Sequence, residues 1–182
     1  MGATIVDRIR WAVDVLAISP SDRLFEIGCG NGAAVAEICR TLTNGSITAI
    51  DRSVKMIRLA EKNNAEHVAS GKARFLAVSL HEADFAQSRF NKIFAVNVNQ
   101  FWLERDCGLD LMKQMLAPGG AVYVFNQPPA ASKLQLIADR TAGHFISAGF
   151  AIKHMIAHEL LPVPGVCIVA EVDESKNGSD NE

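Results

Sequence analysis

The sequence predicts an α/β domain with a doubly wound, mostly parallel sheet that carries helices on both faces. Apolar runs of strand length alternate with segments of helical periodicity along most of the chain, which is the pattern of consecutive strand-helix units. The strand runs are continuously apolar, as in parallel strands that are buried on both faces. At the end of the chain, two strand-like segments are joined by too few residues for a helix, and this predicts an antiparallel terminal hairpin.

The first predicted elements are a helix, a strand and a second helix. The first helix is predicted from apolar residues spaced three or four apart, namely Ile5, Ile9, Ala12 and Leu16. The run SPSD at 19–22 ends this helix, and residues 24–27 form the first strand. The second helix has an apolar stripe of Val35, Ile38 and Leu42, and Asn44-Gly45 is expected to close it as a glycine C-cap.

Three further strands and one helix are predicted in the middle of the chain. ITAID at 47–51 forms the second strand, and Ser53 is a suitable N-cap for a third helix that runs to about Asn63. ARFLAV at 73–78 and KIFAV at 92–96 read as the third and fourth strands, because both are short apolar runs rich in β-branched and aromatic residues.

The last third of the chain contains two more helices and three more strands. Leu109, Met112 and Leu116 mark a helix that PGG at 118–120 should stop, and AVYVF at 121–125 is the fifth strand. A helix is expected from Lys133 to about Ser147, with Gly149 ending it. Residues 150–158 and 166–172 form the terminal hairpin.

Length and composition indicate a single domain. The chain has 182 residues, of which 49% are hydrophobic and 21% charged, so it can bury one substantial core. We therefore assign residues 1–172 to a single domain. The polar run at 173–182 is expected to be a disordered tail.

Charge and cysteine usage narrow the range of partners. The formal net charge of −2 gives no basis for binding nucleic acid or an anionic membrane, so a small-molecule ligand is expected. The four cysteines are scattered and form no CxxC pair, which disfavours a zinc site or a redox dithiol and suggests free thiols. Since neither a signal peptide nor a membrane span is recognisable in the sequence, we expect a cytoplasmic protein.

The run LFEIGCGNG at 24–32 places three glycines, Gly28, Gly30 and Gly32, between a predicted strand and a predicted helix. With Ala33 the spacing satisfies both G-x-G-x-G and the dinucleotide fingerprint G-x-G-x-x-G/A. Asp51 at the end of the second strand could accept hydrogen bonds from the ribose hydroxyls of either kind of nucleotide ligand. These residues alone leave the ligand open.

Glu26 helps to discriminate between the two ligands. It places a carboxylate within an apolar strand, where burial is costly unless a cation or a hydrogen-bond donor meets it. A pyrophosphate would be repelled there, whereas a ligand with an ammonium and a sulfonium group would be attracted. With this residue, LFEIGCGNG resembles motif I of the class I S-adenosylmethionine-dependent methyltransferases.

The resemblance extends along nearly the whole chain. AIDRSVKMI at 49–57 is similar to the second-strand motif of the class, LAPGG at 116–120 to the turn before its fifth strand, and the hairpin to its last strands. It implies a Rossmann-like seven-stranded sheet, S-adenosylmethionine as cofactor and S-adenosylhomocysteine as product. The cofactor-binding residues that it implies are Glu26, Gly28, Cys29, Gly30, Asn31, Gly32, Asp51, Arg52, Met56, Ser79, Leu80 and Asn97.

One position departs from the family pattern. Ser79 stands where the family often has an aspartate that accepts a hydrogen bond from the adenine amino group. A hydroxyl accepts more weakly than a carboxylate, while the backbone of Leu80 could still bond the adenine ring. The resemblance also implies that Asn97 or Asn99, after the fourth strand, lines the ligand site.

The resemblance implies methyl transfer by in-line displacement, with a small-molecule acceptor because no substrate domain or basic stripe is present. No catalytic base is assigned, and transfer to O, N, S or C stays open, as does a monomer or a homodimer. The N-terminal helix within residues 1–20, with Trp11, is expected to cover the site. Phe101 and Trp102 either line an aromatic acceptor pocket or pack on a helix.

No metal site is expected, because the sequence has no HExxH motif and no clustered set of metal ligands. Glu104, Asp106 and Asp110 are interpreted as a solvated helix end. The motif NQPP at 126–129 resembles an amino-methyltransferase signature but is displaced to the fifth strand, although its loop could still touch substrate. Two alternatives remain: a non-catalytic protein of the same fold that binds adenosyl ligands, and an NAD-dependent oxidoreductase, which would leave Glu26 unexplained.

Overall fold

The computed structural model describes residues 7–82, 85, 87–104 and 108–176. Its strands are β1 (Arg23–Ile27), β2 (Ser46–Ile50), β3 (Ala73–Leu76), β4 (Phe90–Val96), β5 (Leu116–Asn126), β6 (Phe150–His158) and β7 (Gly165–Val172). Its α-helices are α1 (Asp7–Leu16), α2 (Ala33–Thr41), α3 (Val54–Asn63), α4 (Ala65–Ala69), α5 (Gln100–Leu103), α6 (Leu109–Met115) and α7 (Leu134–Ser147). Short 3₁₀ turns lie at Ala131–Lys133 and Glu174–Lys176.

All seven strands pair in one sheet of order β3-β2-β1-β4-β5-β7-β6. Strands β1 to β5 are mutually parallel, and β7 is antiparallel to both of its neighbours, β5 and β6. The predicted fold class and the terminal hairpin are therefore confirmed. The strand order reverses between β1 and β4, and the carboxyl edge at such a reversal is where open α/β sheets bind ligands.

Helices cover both faces of the sheet and bury its apolar side chains. Leu24 and Phe94 pack on the face that carries α1, α2 and α3, whereas Phe25 and Ile93 pack on the face that carries α6 and α7. Neighbouring residues of one strand point to opposite faces. Phe25 and Ile27 of β1 thus face α6 and α7. Glu26, which lies between them in sequence, points to the opposite face, as Leu24 does.

Several local predictions are confirmed. The Ser53 side chain accepts a hydrogen bond from the Met56 backbone N–H and caps α3, which ends at Asn63. Gly149 follows α7 in a left-handed conformation, with φ of 83°. Cys29, Cys39 and Cys167 are free thiols, while Cys107 lies outside the described residues.

The predicted glycine C-cap of α2 is wrong. The helix ends at Thr41, and Leu42 is already extended. Gly45 serves a close approach instead, because a Cβ at this position would lie 2.2 Å from the backbone oxygen of Asp22. The N–H groups of residues 43–45 all donate to the Pro20 carbonyl, which pins this turn against the loop before β1.

The role predicted for PGG at 118–120 is also wrong. Helix α6 ends at Met115, and Leu116 already pairs with Phe90 as the first residue of β5. The register then shifts so that Lys92 pairs with Ala121. The glycine-containing turn is therefore an irregularity within β5, not the stop of a helix.

Two further observations concern the ends and the helices of the chain. The 3₁₀ turn at Glu174–Lys176 lies within the predicted tail, and residues 177–182 lie outside the described residues. Among the helices of the described ranges, none combines the length and the apolar character that a membrane span requires.

Candidate active site

A cavity of about 480 Å³ opens at the carboxyl edge of the sheet, where the strand order reverses. It is lined by residues at the ends of four strands: Gly28 after β1, Asp51 and Arg52 after β2, residues 78–81 after β3, and residues 97–100 after β4. Its volume falls in the range of about 300–1,000 Å³ that is usual for small-molecule sites. We call it the main cavity.

The glycine turn between β1 and α2 forms one wall of this edge. Gly28, Gly30 and Gly32 all have positive φ, at 73°, 53° and 76°. A Cβ at Gly28 would lie 2.6 Å from Cγ2 of Val98, and one at Gly32 would lie 2.6 Å from Nδ2 of Asn64. Glycine is therefore required at Gly28 and Gly32 for space as well as for conformation.

Two asparagines at the end of α3 hold the glycine turn from behind. Asn63 Nδ2 donates to the Asn31 carbonyl at 3.0 Å, and Asn64 Nδ2 donates to the Gly32 carbonyl at 3.1 Å. Asn64 is only 2% exposed and also bonds the Ala60 carbonyl. Neither residue was predicted as part of the site, because an Asn-Asn pair at a helix end carries no signal for a distant partner.

Asp51 ties the glycine turn to the end of β2. Its Oδ2 accepts from the Gly30 backbone N–H at 3.0 Å, and its Oδ1 accepts from the Ser53 N–H at 2.8 Å. Each carboxylate oxygen can accept a further hydrogen bond. The two hydrogen bonds fix the orientation of the carboxylate. Because Asp51 also lines the main cavity, the carboxylate can still accept from ligand hydroxyl groups.

Glu26 is a buried carboxyl group close to Asp51. It is 3% exposed, and within the described residues no group donates to its Oε2. Burial, and secondarily the negative charge of Asp51, raise the pKa of Glu26 to about 8. Burial also raises the pKa of the Cys29 thiol, with further contributions from Glu26 and Asp51, so that thiol stays protonated and unreactive.

Ser79 and Leu80 both line the main cavity, and their contact with the adenine stays a prediction. The Ser79 hydroxyl donates to Glu82 Oε2 at 2.7 Å, and its backbone N–H donates to the same oxygen at 2.9 Å. These two bonds hold the pKa of the Glu82 carboxyl below its usual range. A carboxylate thus accompanies the serine that departs from the family pattern, a pairing that sequence reasoning missed.

A smaller cavity of about 120 Å³, which we call the annex, adjoins the main cavity, because Asn97 and Asn99 line both. From the β4 end it is lined by Asn97, Asn99 and Trp102, and from the β5 end by residues 126–129, Lys133 and Ile137. Both asparagines thus lie where the sequence placed them. Of the two aromatic residues, Phe101 is buried in the core, while Trp102 lines the annex.

Comparison with known proteins agrees with this geometry. A family model described as a methyltransferase domain matches residues 24–120, more than half of the chain. The chain belongs to this methyltransferase family. The resemblance to the class I S-adenosylmethionine-dependent methyltransferases, drawn from motif I, is thereby confirmed.

Individual members of the methyltransferase family support the same assignment. An uncharacterized methyltransferase of Bacillus subtilis, YdaC, is 24% identical over 166 residues, which cover 89% of this chain and 90% of the relative. A SAM-dependent methyltransferase from Aquifex aeolicus superposes with a TM-score of 0.73 at 12% identity, covering 91% of this chain and 89% of that one. A Synechocystis magnesium protoporphyrin IX methyltransferase with bound SAH superposes with a TM-score of 0.67 at 14% identity, covering 90% of this chain and 81% of that one. At such identities the two structures show a shared fold.

The methyltransferase fold brings half of the predicted cofactor residues to the wall of the main cavity, namely Gly28, Asp51, Arg52, Ser79, Leu80 and Asn97. The others lie in the glycine turn, in β1 or on α3, outside the set that lines the cavity: Glu26, Cys29, Gly30, Asn31, Gly32 and Met56. Glu104 also lines the cavity, Asp110 pairs with Lys113 at 2.7 Å on the surface, and Asp106 lies outside the described residues.

Helix α1 packs on the sheet beside the hairpin. Trp11 contacts Phe125 edge-on at 5.3 Å between ring centroids and stacks on His158 at 5.4 Å. Residues of this helix are not among those that line the main cavity or the annex in the described part of the chain. The function of α1 as a cover for the site therefore stays a prediction.

Proposed function

We propose that this methyltransferase transfers the methyl group of S-adenosylmethionine to a small-molecule acceptor by in-line displacement. The observation that carries the proposal is the buried Glu26 carboxyl group, with one oxygen unpartnered among the described residues, beside Asp51 and the glycine turn. A ligand with both cationic groups and ribose hydroxyls matches this combination. A pyrophosphate would instead meet two carboxyl groups.

The residues of the chain fit the proposed cofactor. Asp51 would accept from the ribose hydroxyls, since its two oxygens are oriented by Gly30 and Ser53. Glu26 would compensate the positive charge of the methionine part. Ser79 and Leu80 would meet the adenine. When bound, S-adenosylmethionine supplies a methyl group on a positive sulfonium, and the lone pair of the acceptor displaces neutral S-adenosylhomocysteine.

The chain would contribute mainly by positioning. An in-line displacement needs the nucleophile, the methyl carbon and the sulfur in line, and a fixed alignment can account for a large part of the rate. Residues 97–100 would orient the acceptor, because they follow β4 and line the main cavity. A proton released by a hydroxyl or amine acceptor would pass to solvent, and we assign no catalytic base.

The cofactor part of the proposal is tested by thermal denaturation of the purified protein with S-adenosylmethionine, S-adenosylhomocysteine or NAD. A ligand at a hundred times its dissociation constant adds about 2.7 kcal/mol, or roughly 5–11 °C in Tm for a domain of this size. We expect this shift with the two adenosyl ligands. A shift with NAD alone would refute the proposal.

The acceptor part requires a separate assay. The protein is incubated with S-adenosylmethionine carrying a labelled methyl group and with pools of small metabolites, unmodified tRNA or a cell protein fraction. We expect label in small products and none in RNA or protein. Labelling confined to RNA or protein would overturn the small-molecule acceptor, and binding without any turnover would favour a non-catalytic protein.

A further inference from the structure

We propose that the annex binds a carboxylate group of the methyl acceptor, so that the substrate is a small carboxylic acid. This inference rests on the proposed methyl transfer, because it assigns the annex to the acceptor of that reaction. Its basis is the side chain of Asn126 at the carboxyl end of β5. Asn126 is 3% exposed and lines the annex, and its Nδ2 has no hydrogen-bond partner among the described residues.

An unpartnered donor at this depth indicates a missing acceptor. A buried polar group without a hydrogen bond costs roughly 1–3 kcal/mol, and native proteins rarely leave one unpaired. Asn126 follows Val122 and Val124 at the strand period of two, so its side chain lies on the face of the sheet that packs α7. Ile137 of α7 lines the annex as well.

The side-chain oxygens of Asn97 and Asn99 and the side-chain nitrogen of Gln127 are already engaged. Asn97 Oδ1 accepts from the Gln127 backbone N–H at 2.7 Å, and Asn99 Oδ1 accepts from Trp102 Nε1 at 3.4 Å. Gln127 Nε2 donates to the carbonyls of Leu161 and Val163 at 3.2 and 2.9 Å. Among these groups, Asn126 Nδ2 is the buried donor without a partner in the described residues, and so it is the one that calls for a ligand acceptor.

The charge of the annex favours an anion. Lys133 lines it, and no aspartate or glutamate of the described residues does. Helix α7 begins next to Lys133 and has no acidic residue in its first turn, so its positive end is not neutralised locally. A donor and an ammonium group around one small space suit an oxyanion.

The size of the annex favours a carboxylate over a larger anion. The annex, at about 120 Å³, is a quarter of the volume of the main cavity at about 480 Å³, so it suits one small group of the acceptor and not the whole molecule. A carboxylate with the carbon that carries it has four non-hydrogen atoms. One lysine also balances a single negative charge, whereas a phosphate monoester would bring a second. The rest of the acceptor would extend past Asn97 and Asn99 into the main cavity.

The test is an NMR titration of the ¹⁵N-labelled protein saturated with S-adenosylhomocysteine. The probes are propionate, its neutral isostere propionamide, and inorganic phosphate, all at constant ionic strength. We expect propionate to shift the backbone amide signals of residues 126, 127 and 130–133 with saturation at millimolar concentration. Propionamide and phosphate should shift them less at equal concentration.

Variants connect the response to the annex. Lys133→Gln removes an exposed charge and should weaken propionate binding about two- to fivefold. Lys62→Gln removes an exposed charge on α3 and should leave it unchanged. Asn126→Leu, a substitution of similar volume, should weaken it at least about tenfold. If Asn126→Leu does not fold, the pair of lysine variants decides.

The outcomes separate this inference from the proposed function. If S-adenosylhomocysteine binds but propionate leaves the amide signals of residues 126, 127 and 130–133 unshifted, the annex inference is wrong and the cofactor assignment stands. Equal responses to propionate and propionamide, tighter binding of phosphate, or equal behaviour of the two lysine variants would also overturn it. If S-adenosylhomocysteine fails to bind, the proposed function falls, and the acceptor role of the annex falls with it.

Discussion

The two halves of the carboxyl edge differ in how their polar groups are used. At the ends of β1 and β2, Asp51 and the asparagines of α3 bond the backbone of the glycine turn and so fix a cradle. At the ends of β4 and β5, Asn97 accepts from the loop after β5, Asn99 accepts from Trp102, and the Asn126 donor has no partner among the described residues. The first half is fixed by these internal bonds and leaves an acceptor open at Glu26 Oε2, whereas the second half leaves a donor open at Asn126 Nδ2.

This difference corresponds to two tasks. The half that would hold the cofactor must be preorganised, because an aligned displacement tolerates little movement of the donor. The half that would hold the acceptor determines specificity, which depends on a few unpaired polar groups that a correct ligand satisfies. Disturbing one half and not the other should therefore change cofactor binding and stability by different amounts.

The largest effect is expected from Asp51→Ala. The substitution removes a carboxylate that orients the Gly30 and Ser53 N–H groups and would accept from the ribose. Two hydrogen bonds to a charged group correspond to about 3–6 kcal/mol, so binding of S-adenosylhomocysteine should weaken by about a hundredfold or more. Isothermal titration calorimetry measures the change.

The matched control is Asp110→Ala, which removes an exposed carboxylate that pairs with Lys113 at 2.7 Å on α6. Its binding of S-adenosylhomocysteine should equal that of the unmodified protein. If Asp51→Ala retains affinity within tenfold while circular dichroism shows a native fold, the ribose assignment is wrong. The cradle would then act by shape alone.

The next effect concerns the pH dependence of stability through Glu26. Its pKa is about 8 in the folded protein and 4.5 for the free group. Between these values the folded state binds more protons than the unfolded state, so the free energy of unfolding falls as pH rises. For one buried group the fall amounts to roughly 3–5 kcal/mol. Glu26→Gln should remove this contribution.

Urea unfolding at pH 5 and pH 8.5 tests this expectation. The difference in the free energy of unfolding between the unmodified protein and Glu26→Gln cancels the contributions of the other titrating groups. Glu61→Gln on the exposed face of α3 serves as control. Because the proposed ligand is cationic at its methionine end, affinity for S-adenosylmethionine should rise with pH up to about 8. Parallel stability curves for the protein and the Gln variant would contradict the account of Glu26.

A smaller effect isolates the fit of the glycine turn against α3. Gly32→Ala would place a Cβ 2.6 Å from Asn64 Nδ2 at a φ of +76°. Gly71→Ala has a similar φ of +75°, with no atom within 4 Å of its Cβ. Both variants incur about 1–2 kcal/mol for the left-handed conformation, and Gly32→Ala should lose about 1–2 kcal/mol more from the clash.

The midpoints of urea unfolding measure this contrast directly. If both variants are equally destabilised, Asn64 moves aside at little cost, and the turn is less firmly held than its hydrogen bonds indicate. If Gly32→Ala alone also loses S-adenosylhomocysteine binding, the support from α3 is part of the preorganisation. Neither substitution touches the β4 and β5 half of the edge.

Features of the fold could be predicted from the sequence where their causes are local along the chain. The strands, the five longer helices and the glycine turn were predictable because hydrophobic periodicity and the motif at 24–32 are local signals. The short helices α4 and α5 were not predicted, since a helix of four or five residues is too short to show a periodicity. The role of Gly45 was not, because its requirement comes from the approach of Asp22, which is distant in sequence. PGG at 118–120 was misread for a related reason: the pairing of Leu116 with Phe90 decides where the helix ends.

The candidate site divides in the same way. Glu26 and Asp51 belong to motifs, so their positions followed from the sequence. The partners Asn63, Asn64 and Glu82 did not, since each acts through a contact that only the folded chain creates. The unpartnered state of Asn126 is likewise a property of its surroundings in three dimensions and leaves no trace in the motif NQPP.

The smallest effect is expected at the border of the cofactor half, from Ser79→Ala. The hydroxyl donates to Glu82 and lines the main cavity, so its removal should weaken S-adenosylhomocysteine binding by less than about tenfold. The pKa of the Glu82 carboxyl should rise toward its usual range, because the hydroxyl bond is the main cause of its lowering. The backbone N–H bond would remain. Carbon-detected NMR follows that titration, and Ser70→Ala, which removes an exposed hydroxyl at the end of α4, serves as control.

The two readouts of Ser79→Ala separate a direct contact from an indirect one. If affinity falls while Glu82→Gln binds normally, the hydroxyl itself meets the adenine, as a weaker substitute for the aspartate of related enzymes. If Glu82→Gln weakens binding more than Ser79→Ala does, the carboxylate is the acceptor and the serine positions it. Unchanged affinity in both variants would mean that adenine is held by the backbone at Leu80 alone, and the cofactor half would then depend on shape more than on side-chain bonds.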